Sequence, residues 1–129
     1  VRWYDDSKAT NPHAVLAALA GFESVVLLAG GRNKGLDLTP MAGAVDRVRA
    51  VVAMGEAGPE VAEVFAGSRP VATVSSMDDA VRTAADLAQP GDVVLLSPGC
   101  TSFDWYGSYA ERGDDFVRAV QSLGEADRA

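Results

Sequence analysis

The chain has 129 residues, 48% of them hydrophobic and 22% charged, a composition that suits one globular domain and excludes a wholly disordered chain. Its net charge of −7 argues against nonspecific binding to nucleic acid, which requires a basic surface. Cys100 is the single cysteine, so no internal disulfide can form, and without a secretory leader we expect a cytoplasmic location. The longest apolar runs, around 25–29 and 93–96, are too short to cross a bilayer, so no membrane association is expected.

The first half of the chain alternates between strand and helix signals. A strand is predicted at 1–5, and Asn11-Pro12 then supplies an N-cap followed by proline at the first helical position. The apolar run 24–29 predicts a second strand that is covered on both faces. Thr39-Pro40 repeats the helix signal before apolar residues at helical spacing, which are Met41, Ala44, Val45 and Val48.

The second half repeats this alternation. Gly58-Pro59 predicts the start of a short helix that ends near Gly67. Ser76 with Asp79 resembles a capping box and predicts the start of another helix. Three further β-branched runs predict the strands that accompany these helices, at 50–54, 70–74 and 92–97.

The last helix is predicted from about Glu111 to Leu123, with Gly124 as its end and a frayed polar tail at 125–129. Five alternating strand–helix units predict an α/β fold: a three-layer, Rossmann-like, mostly parallel sheet with helices on both faces. We expect residues 1–129 to form a single domain of a longer protein. Sites in such open sheets form beyond the carboxyl ends of the strands, so the loops at that edge are the candidates.

Three loops at the predicted carboxyl edge are rich in polar residues. They follow the first, second and fifth strands, at 5–11, 30–35 and 97–106. Both lysines of the chain, Lys8 and Lys34, lie in these loops, whereas the nine arginines are spread along the sequence. A lysine ammonium can reach a single carboxylate or phosphate oxygen, so the pair predicts a site for an anionic ligand. Two solvated loop lysines are the alternative interpretation.

Other motifs in these loops are incomplete. Gly30-Gly31 to Gly35 departs from a phosphate-binding loop, because Lys34 precedes the last glycine and no Ser or Thr follows it. The one histidine and the one cysteine have no partners for a zinc site, so no metal site is predicted. The aromatic loop is either a lid over the edge of the core or a pocket wall, and contains Phe103, Trp105, Tyr106 and Tyr109.

Three segments occur together in one known family. Segment 6–11 reads Asp-Ser-Lys-Ala-Thr-Asn, segment 30–37 contains Gly-Gly-x-x-Lys-Gly-x-Asp, and segment 97–116 contains Ser-Phe-Asp and Glu-Arg-Gly-Asp. Over the whole chain these segments resemble the C-terminal domain of the Mur ligases. Ser-Lys-Ala-Thr is typical of the branch that adds D-glutamate to UDP-N-acetylmuramoyl-L-alanine. The chain departs from the usual pattern at Asn33, where Asp is common, and at 106–108.

The resemblance implies a three-domain, monomeric ligase of peptidoglycan precursor synthesis that acts through an acyl phosphate. An N-terminal domain would hold UDP-N-acetylmuramoyl-L-alanine, and a central domain would bind ATP and Mg²⁺. This chain would close over both with D-glutamate, would hold no cofactor itself and would be inactive alone. Its partners would be these small molecules and the upstream domains of the same protein.

The resemblance also implies roles for particular side chains. It places three of them at the glutamate carboxylates, namely Lys34, Thr10 and Ser102. Tyr109 would lie beside the glutamate, where phenylalanine is usual. Asp6 and Lys8 would reach the nucleotide, and Lys8 would also act on the reacting phosphate as the catalytic residue. Lysine charge and hydroxyl donors suit a dicarboxylate on chemical grounds as well.

Three alternatives stay open. A receiver domain of two-component signalling shares the topology and the acidic pair Asp5-Asp6, but the third and fifth strands end without its phosphoacceptor Asp and its Lys. A different Mur ligase or a folylpolyglutamate synthetase would keep the amino-acid ligase chemistry. A non-catalytic, Rossmann-like module would bind a small molecule with the same loops and without turnover.

Overall fold

The computed structural model describes the backbone of residues 1–128 and the side chains of residues 1–124. Five strands alternate with helices along the chain. The strands are β1 (Arg2–Asp5), β2 (Val25–Gly30), β3 (Val48–Met54), β4 (Val71–Val74) and β5 (Val93–Gly99). The α-helices are α1 (Pro12–Leu19), α2 (Gly58–Phe65), α3 (Met77–Leu87) and α4 (Tyr109–Arg128), and a 3-10 helix covers Thr39–Arg47.

All five strands form one parallel sheet in the order β1-β5-β2-β3-β4. The predicted α/β fold class is therefore confirmed. In this order β5 lies between β1 and β2, so the three strands that precede the polar loops are neighbours. The sequence predicted that these loops share an edge, and the strand order brings them side by side on it.

Two apolar cores hold the helices on opposite faces of the sheet. Residues of β2 alternate between them, with Leu27 in the core beneath α1 and α2 and Leu28 in the core beneath α3 and α4. Every residue of β2 is buried, as expected for a central parallel strand covered on both faces. The sheet is therefore a rigid support whose carboxyl edge is left for the loops.

The helix caps predicted at Asn11 and Ser76 form, whereas Thr39 caps no helix, because it lies inside a 3-10 helix that has no side-chain cap. The Asn11 side chain accepts from the backbone N–H of Ala14 at 2.9 Å, and the Ser76 hydroxyl accepts from the N–H of Asp79 at 3.1 Å. Each cap satisfies a backbone donor that the first helical turn leaves without a partner.

The helix predicted after Thr39 is wrong in type and in extent. The segment is a 3-10 helix that kinks at Ala44, where φ is −109° and ψ is 21°, and it ends at Arg47. Val48 begins β3, where it pairs with Val25, rather than continuing the helix. Sheet pairing outweighs helical spacing at this residue, because a valine favours a buried strand.

The prediction for the last helix is wrong at its C-terminal end. Helix α4 begins at Tyr109, where the Ser108 hydroxyl accepts from the N–H of Glu111 at 3.2 Å. It continues through Gly124 to Arg128, so residues 125–128 are helical rather than frayed, and Ala129 lies outside the described residues. A glycine inside a helix costs about 1 kcal/mol and need not end it. Within the described residues, no helix combines the length and the apolar character that crossing a membrane requires.

Candidate functional site

The three polar loops are joined by hydrogen bonds at the carboxyl edge of the sheet. Arg32 and Thr101 exchange backbone N–H···O bonds of 2.9 and 3.0 Å, which joins the loops after β2 and β5. The N–H of Gly99 donates to the carbonyl of Ala9 at 2.8 Å, which joins β5 to the loop after β1. Neighbouring strands are about 4.8 Å apart, so β1 and β2 end about 9.6 Å from each other with β5 between them.

The glycine pair after β2 serves close packing. Both Gly30 and Gly31 adopt positive φ, at 131° and 130°. A Cβ on Gly30 would lie 1.9 Å from the carbonyl oxygen of Met54, and one on Gly31 would lie 2.3 Å from that of Thr101. Only glycine allows both this conformation and this approach. The pair therefore tightens the loop against its neighbours, which agrees with the absence of a phosphate-loop motif.

Lys34 is exposed beyond these glycines and lies against an aromatic ring. Its Nζ is 5.2 Å from the ring centroid of Phe103, so a cation–π contact links the loops after β2 and β5. Half of the Phe103 surface is exposed. The ammonium is thus held at the edge of the sheet while it stays accessible to an anion.

Asn33 explains one departure from the family pattern. Its side-chain amide donates to the carbonyl of Leu36 at 2.7 Å and to the carboxylate of Glu60 at 3.0 Å. Its side-chain oxygen accepts from the N–H of Leu36 at 3.0 Å. An aspartate at this position would lack the donor and would repel Glu60, so asparagine suits this loop.

Asp6 and Lys8 line one groove beside β1. The Ser97 hydroxyl donates to the Asp6 carboxylate at 3.1 Å and so orients it. The groove has a volume of about 620 Å³ and a largely apolar wall from β1, α1 and β5, in which Tyr4 and Phe22 stack with centroids 4.9 Å apart. Lys8 is exposed at its rim. The other four candidate residues are not among those that line this groove.

The remaining candidates differ in accessibility. Thr10 is half-buried. Ser102 is 2% exposed, and its buried hydroxyl oxygen has no hydrogen-bond partner among the described residues. Tyr109 is 53% exposed at the first residue of α4. A buried hydroxyl without a partner is rare in folded proteins, and an ordered water or another bound group would satisfy it.

The four aromatic residues between Phe103 and Tyr109 differ in their burial. Trp105 and Tyr106 pack against the core beneath α3 and α4, with ring centroids 6.5 Å apart. Burial, and then the hydrogen bond to Asp115, raise the pKa of the Tyr106 hydroxyl, so it is neutral at pH 7. Phe103 and Tyr109, in contrast, are exposed and available to a ligand. Two of these aromatic residues thus pack against the core, whereas Phe103 and Tyr109 remain candidates for a pocket wall.

Cys100 is a buried structural residue. It is 1% exposed, and burial raises the pKa of its thiol to about 12, with a smaller contribution from Glu60 in the same direction. The neutral thiol is a poor nucleophile. Cys100 thus supports the packing beneath the loops.

Sequence reasoning missed the pair formed by Ser7 and Arg112. Arg112 donates from Nε to the Ser7 hydroxyl at 2.9 Å and from Nη2 to the Ser7 carbonyl at 2.7 Å. Burial lowers the pKa of the guanidinium. The spacing of Arg112 from Phe116 and Ala119 places it on the buried face of α4, a signal that was present in the sequence.

Polar loops gathered beyond three adjacent strands place this chain in the α/β class, and they lie at the edge where open parallel sheets bind ligands. The chain belongs to the Mur ligase, glutamate ligase domain family, which matches residues 1–100. The resemblance seen in the sequence is thereby confirmed at the level of the family.

Curated relatives extend this comparison. The chain is 52% identical, over its whole length, to the UDP-N-acetylmuramoylalanine–D-glutamate ligase of Desulfosudis oleivorans. It is 51% identical, over 95% of its length, to the ligase of the same name from Salinibacter ruber. The chain spans 28% and 27% of these two relatives and matches their C-terminal part.

A solved structure provides a comparison of the fold. The crystal structure of UDP-N-acetylmuramate-alanine ligase from Thermotoga maritima matches with a TM-score of 0.57, covering 89% of this chain and 26% of that protein. The two sequences are 15% identical, so this likeness concerns the fold alone.

Proposed function

We propose that the chain is the D-glutamate-binding, C-terminal domain of an ATP-dependent ligase. The whole enzyme would join D-glutamate to UDP-N-acetylmuramoyl-L-alanine in peptidoglycan precursor synthesis. The observation that carries the proposal is that the loops of Lys8 and Lys34 flank the loop of Ser102 at one edge of the sheet. Two relatives with about half of their aligned residues identical have the name of this enzyme, which supports the choice of amino acid.

D-Glutamate has two carboxylates, so its site needs donors at both ends. Lys34 is the proposed ligand of the side-chain carboxylate, because its ammonium is accessible and the cation–π contact with Phe103 restrains it. Ser102 is proposed to donate its unpartnered hydroxyl to the same ligand. Thr10 would supply a second hydroxyl, and the exposed ring of Tyr109 would form the wall of the site.

In the proposed reaction, the terminal phosphoryl group of ATP passes to the alanine carboxylate, which gives an acyl phosphate and ADP. The neutral amine of D-glutamate then attacks the acyl carbon. An amide bond forms, inorganic phosphate leaves, and the amine loses a proton. Lys8 would stabilise the charge that develops on the transferred phosphoryl group. Asp6, oriented by Ser97, would contact the nucleotide.

ATP and Mg²⁺ are proposed to bind mainly to the upstream domains. Among the described residues, no cluster of three His, Cys, Asp or Glu side chains is present. The family resemblance favours a monomeric enzyme, and dependence on ATP and a UDP-sugar favours the cytoplasm as its location.

The test is an assay of ADP release by the full-length protein with ATP, Mg²⁺ and UDP-N-acetylmuramoyl-L-alanine. We expect release to require D-glutamate, and L-glutamate, L-alanine, L-lysine and meso-diaminopimelate to fail as substitutes. The 129-residue chain alone serves as the control and should not hydrolyse ATP. Release with a different amino acid would indicate another member of the family, and no release with any of them would indicate a binding module.

A further inference from the structure

Arg112 is a buried cation in a setting that packing alone does not explain. The residue is 2% exposed, and the ion pairs between described residues do not include it. Its Nη1 is buried and has no hydrogen-bond partner within the part of the chain that the structure describes. Burial lowers the pKa of the guanidinium, and the nearby carboxylates of Asp104 and Asp5 only partly offset this effect. The bonds that the guanidinium does form therefore have to outweigh the remaining cost of burying its charge.

Those bonds connect helix α4 to the loop after β1. The Ser7 hydroxyl accepts from Nε of Arg112 at 2.9 Å and donates to the carbonyl of Tyr109 at 2.7 Å. The Ser7 carbonyl accepts from Nη2 at 2.7 Å. On its other side, the N–H of Ser7 donates to the Asp5 carboxylate at 2.9 Å. Ser7 is thus fixed through its N–H, its carbonyl and its hydroxyl.

The residues next to this pair are those of the proposed site. Lys8 follows Ser7 directly, and Thr10 is three residues after it. Tyr109 supplies the carbonyl that the Ser7 hydroxyl contacts. Arg112 also reaches the loop of Lys34, because a Cβ on Gly31 would lie 3.2 Å from Nη1. One guanidinium therefore bonds to the loop after β1, borders the loop after β2 and lies on the helix that follows the third.

We propose that Arg112 is a positioning residue of the ligase, and that through Ser7 it fixes Lys8, Thr10 and Tyr109 in one arrangement. The inference rests on the proposed function for its catalytic meaning. The planar guanidinium fork is required, because two of its nitrogens bond to two different oxygens of Ser7. A lysine ammonium could keep the charge but could not make both bonds in the same geometry.

The first arm of the test measures amide hydrogen exchange in the full-length protein. We compare Arg112→Lys with Arg118→Lys, a matched control on the exposed face of the same helix. The amides of Ser7 and Ala9, which donate to Asp5 and Asp6, report on the loop. We expect them to exchange at least 10-fold faster in Arg112→Lys and within twofold of wild type in the control. Unchanged exchange would overturn the inference whatever the enzyme does.

The second arm measures steady-state kinetics of the same variants. In Arg112→Lys the KM for D-glutamate should rise at least 10-fold and kcat should fall, while the KM for the UDP-sugar stays within twofold of wild type. A loss of active protein alone would lower kcat and leave each KM unchanged, and that result would assign Arg112 a structural role only. Faster exchange with wild-type kinetics would also overturn the inference, and it would leave the proposed function intact.

If Arg112→Lys does not fold, the variant Ser7→Ala tests whether Arg112 acts through Ser7. This variant keeps Arg112 and its bond to the Ser7 carbonyl, and removes the hydroxyl that links Arg112 to Tyr109. We expect the KM for D-glutamate to rise at least threefold, with the KM for the UDP-sugar within twofold of wild type. An unchanged KM for D-glutamate would overturn the inference. Absence of D-glutamate-dependent turnover in the wild-type protein would instead contradict the proposed function.

Discussion

Replacing Lys34 by alanine should weaken the use of D-glutamate by the full-length ligase. Lys34 lies 5.2 Å from the Phe103 centroid and is exposed, so truncation leaves no buried charge behind. The free energy of binding that is lost is then mainly that of the hydrogen bond between Lys34 and the ligand. A charge-assisted hydrogen bond contributes about 1.5–3 kcal/mol. A loss of about 2 kcal/mol corresponds to a fall of roughly 30-fold in kcat/KM for D-glutamate.

Three companion variants sharpen this prediction. Lys34→Arg should not restore activity, because the guanidinium is larger and planar. Ser102→Ala should cost less, about 1.5 kcal/mol, because in this bond only the acceptor is charged. Arg82→Ala is the matched control, since Arg82 is an exposed cation that pairs with Asp79 on α3 and lies outside the three loops in sequence.

The assay is initial-rate ADP release with each substrate varied in turn. We expect the KM for ATP and the KM for the UDP-sugar to stay within twofold of wild type in all four variants. A changed KM for ATP in Lys34→Ala, with D-glutamate kinetics unaltered, would refute the assignment of Lys34 to the glutamate site.

Three further predictions concern the loops and the support beneath them. Asp6→Ala and Lys8→Ala should mainly lower kcat, because both are proposed to act as charge develops on the phosphate, and wild-type turnover in either variant would exclude these roles. Gly31→Ala should lower the free energy of unfolding by about 1–3 kcal/mol or more. Gly43→Ala is the control and should not lower it, because the space around its Cβ is open. Urea titration of the chain measures the free energy of unfolding of both variants. Asp92 is buried, which raises its carboxyl pKa, but hydrogen bonds from Ser24, Gln89 and Arg49 outweigh burial and lower the folded pKa below its ordinary value. The ionised Asp92 carboxylate should therefore stabilise the fold above the unfolded pKa of about 3.9, and this stabilisation should be lost as pH falls through the folded pKa. The free energy of unfolding of Asp92→Asn should be lower than that of the wild type at pH 7, and the two values should converge in acid.

Local signals in the sequence predict much of the fold. The caps at Asn11 and Ser76 and the covered strand β2 are each encoded within a few neighbouring residues, so they can be identified without tertiary information. The helix after Thr39 could not be predicted correctly, because Val48 satisfies helical spacing but pairs with Val25 in the sheet. The strand order depends on how distant strands pair, and composition does not determine it.

In the candidate site, too, some residues can be identified from the sequence and others only from the folded structure. Lys8 and Lys34 are identifiable because their loops follow strands, and parallel strands place such loops at one edge. The link from Arg112 to Ser7 joins residues 105 positions apart, so only the folded chain reveals it. The burial of Ser102 is likewise a property of the packed loops.

A crystal structure of the full-length protein with UDP-N-acetylmuramoyl-L-alanine, a non-hydrolysable ATP analogue and D-glutamate tests the central claim most directly. We predict D-glutamate at the edge formed by the three loops, with one carboxylate within hydrogen-bond distance of Lys34 Nζ and the Ser102 hydroxyl, and with the nucleotide near Asp6 and Lys8. D-Glutamate bound to the upstream domains, without contact to Lys34, Ser102 or Thr10, would contradict the account.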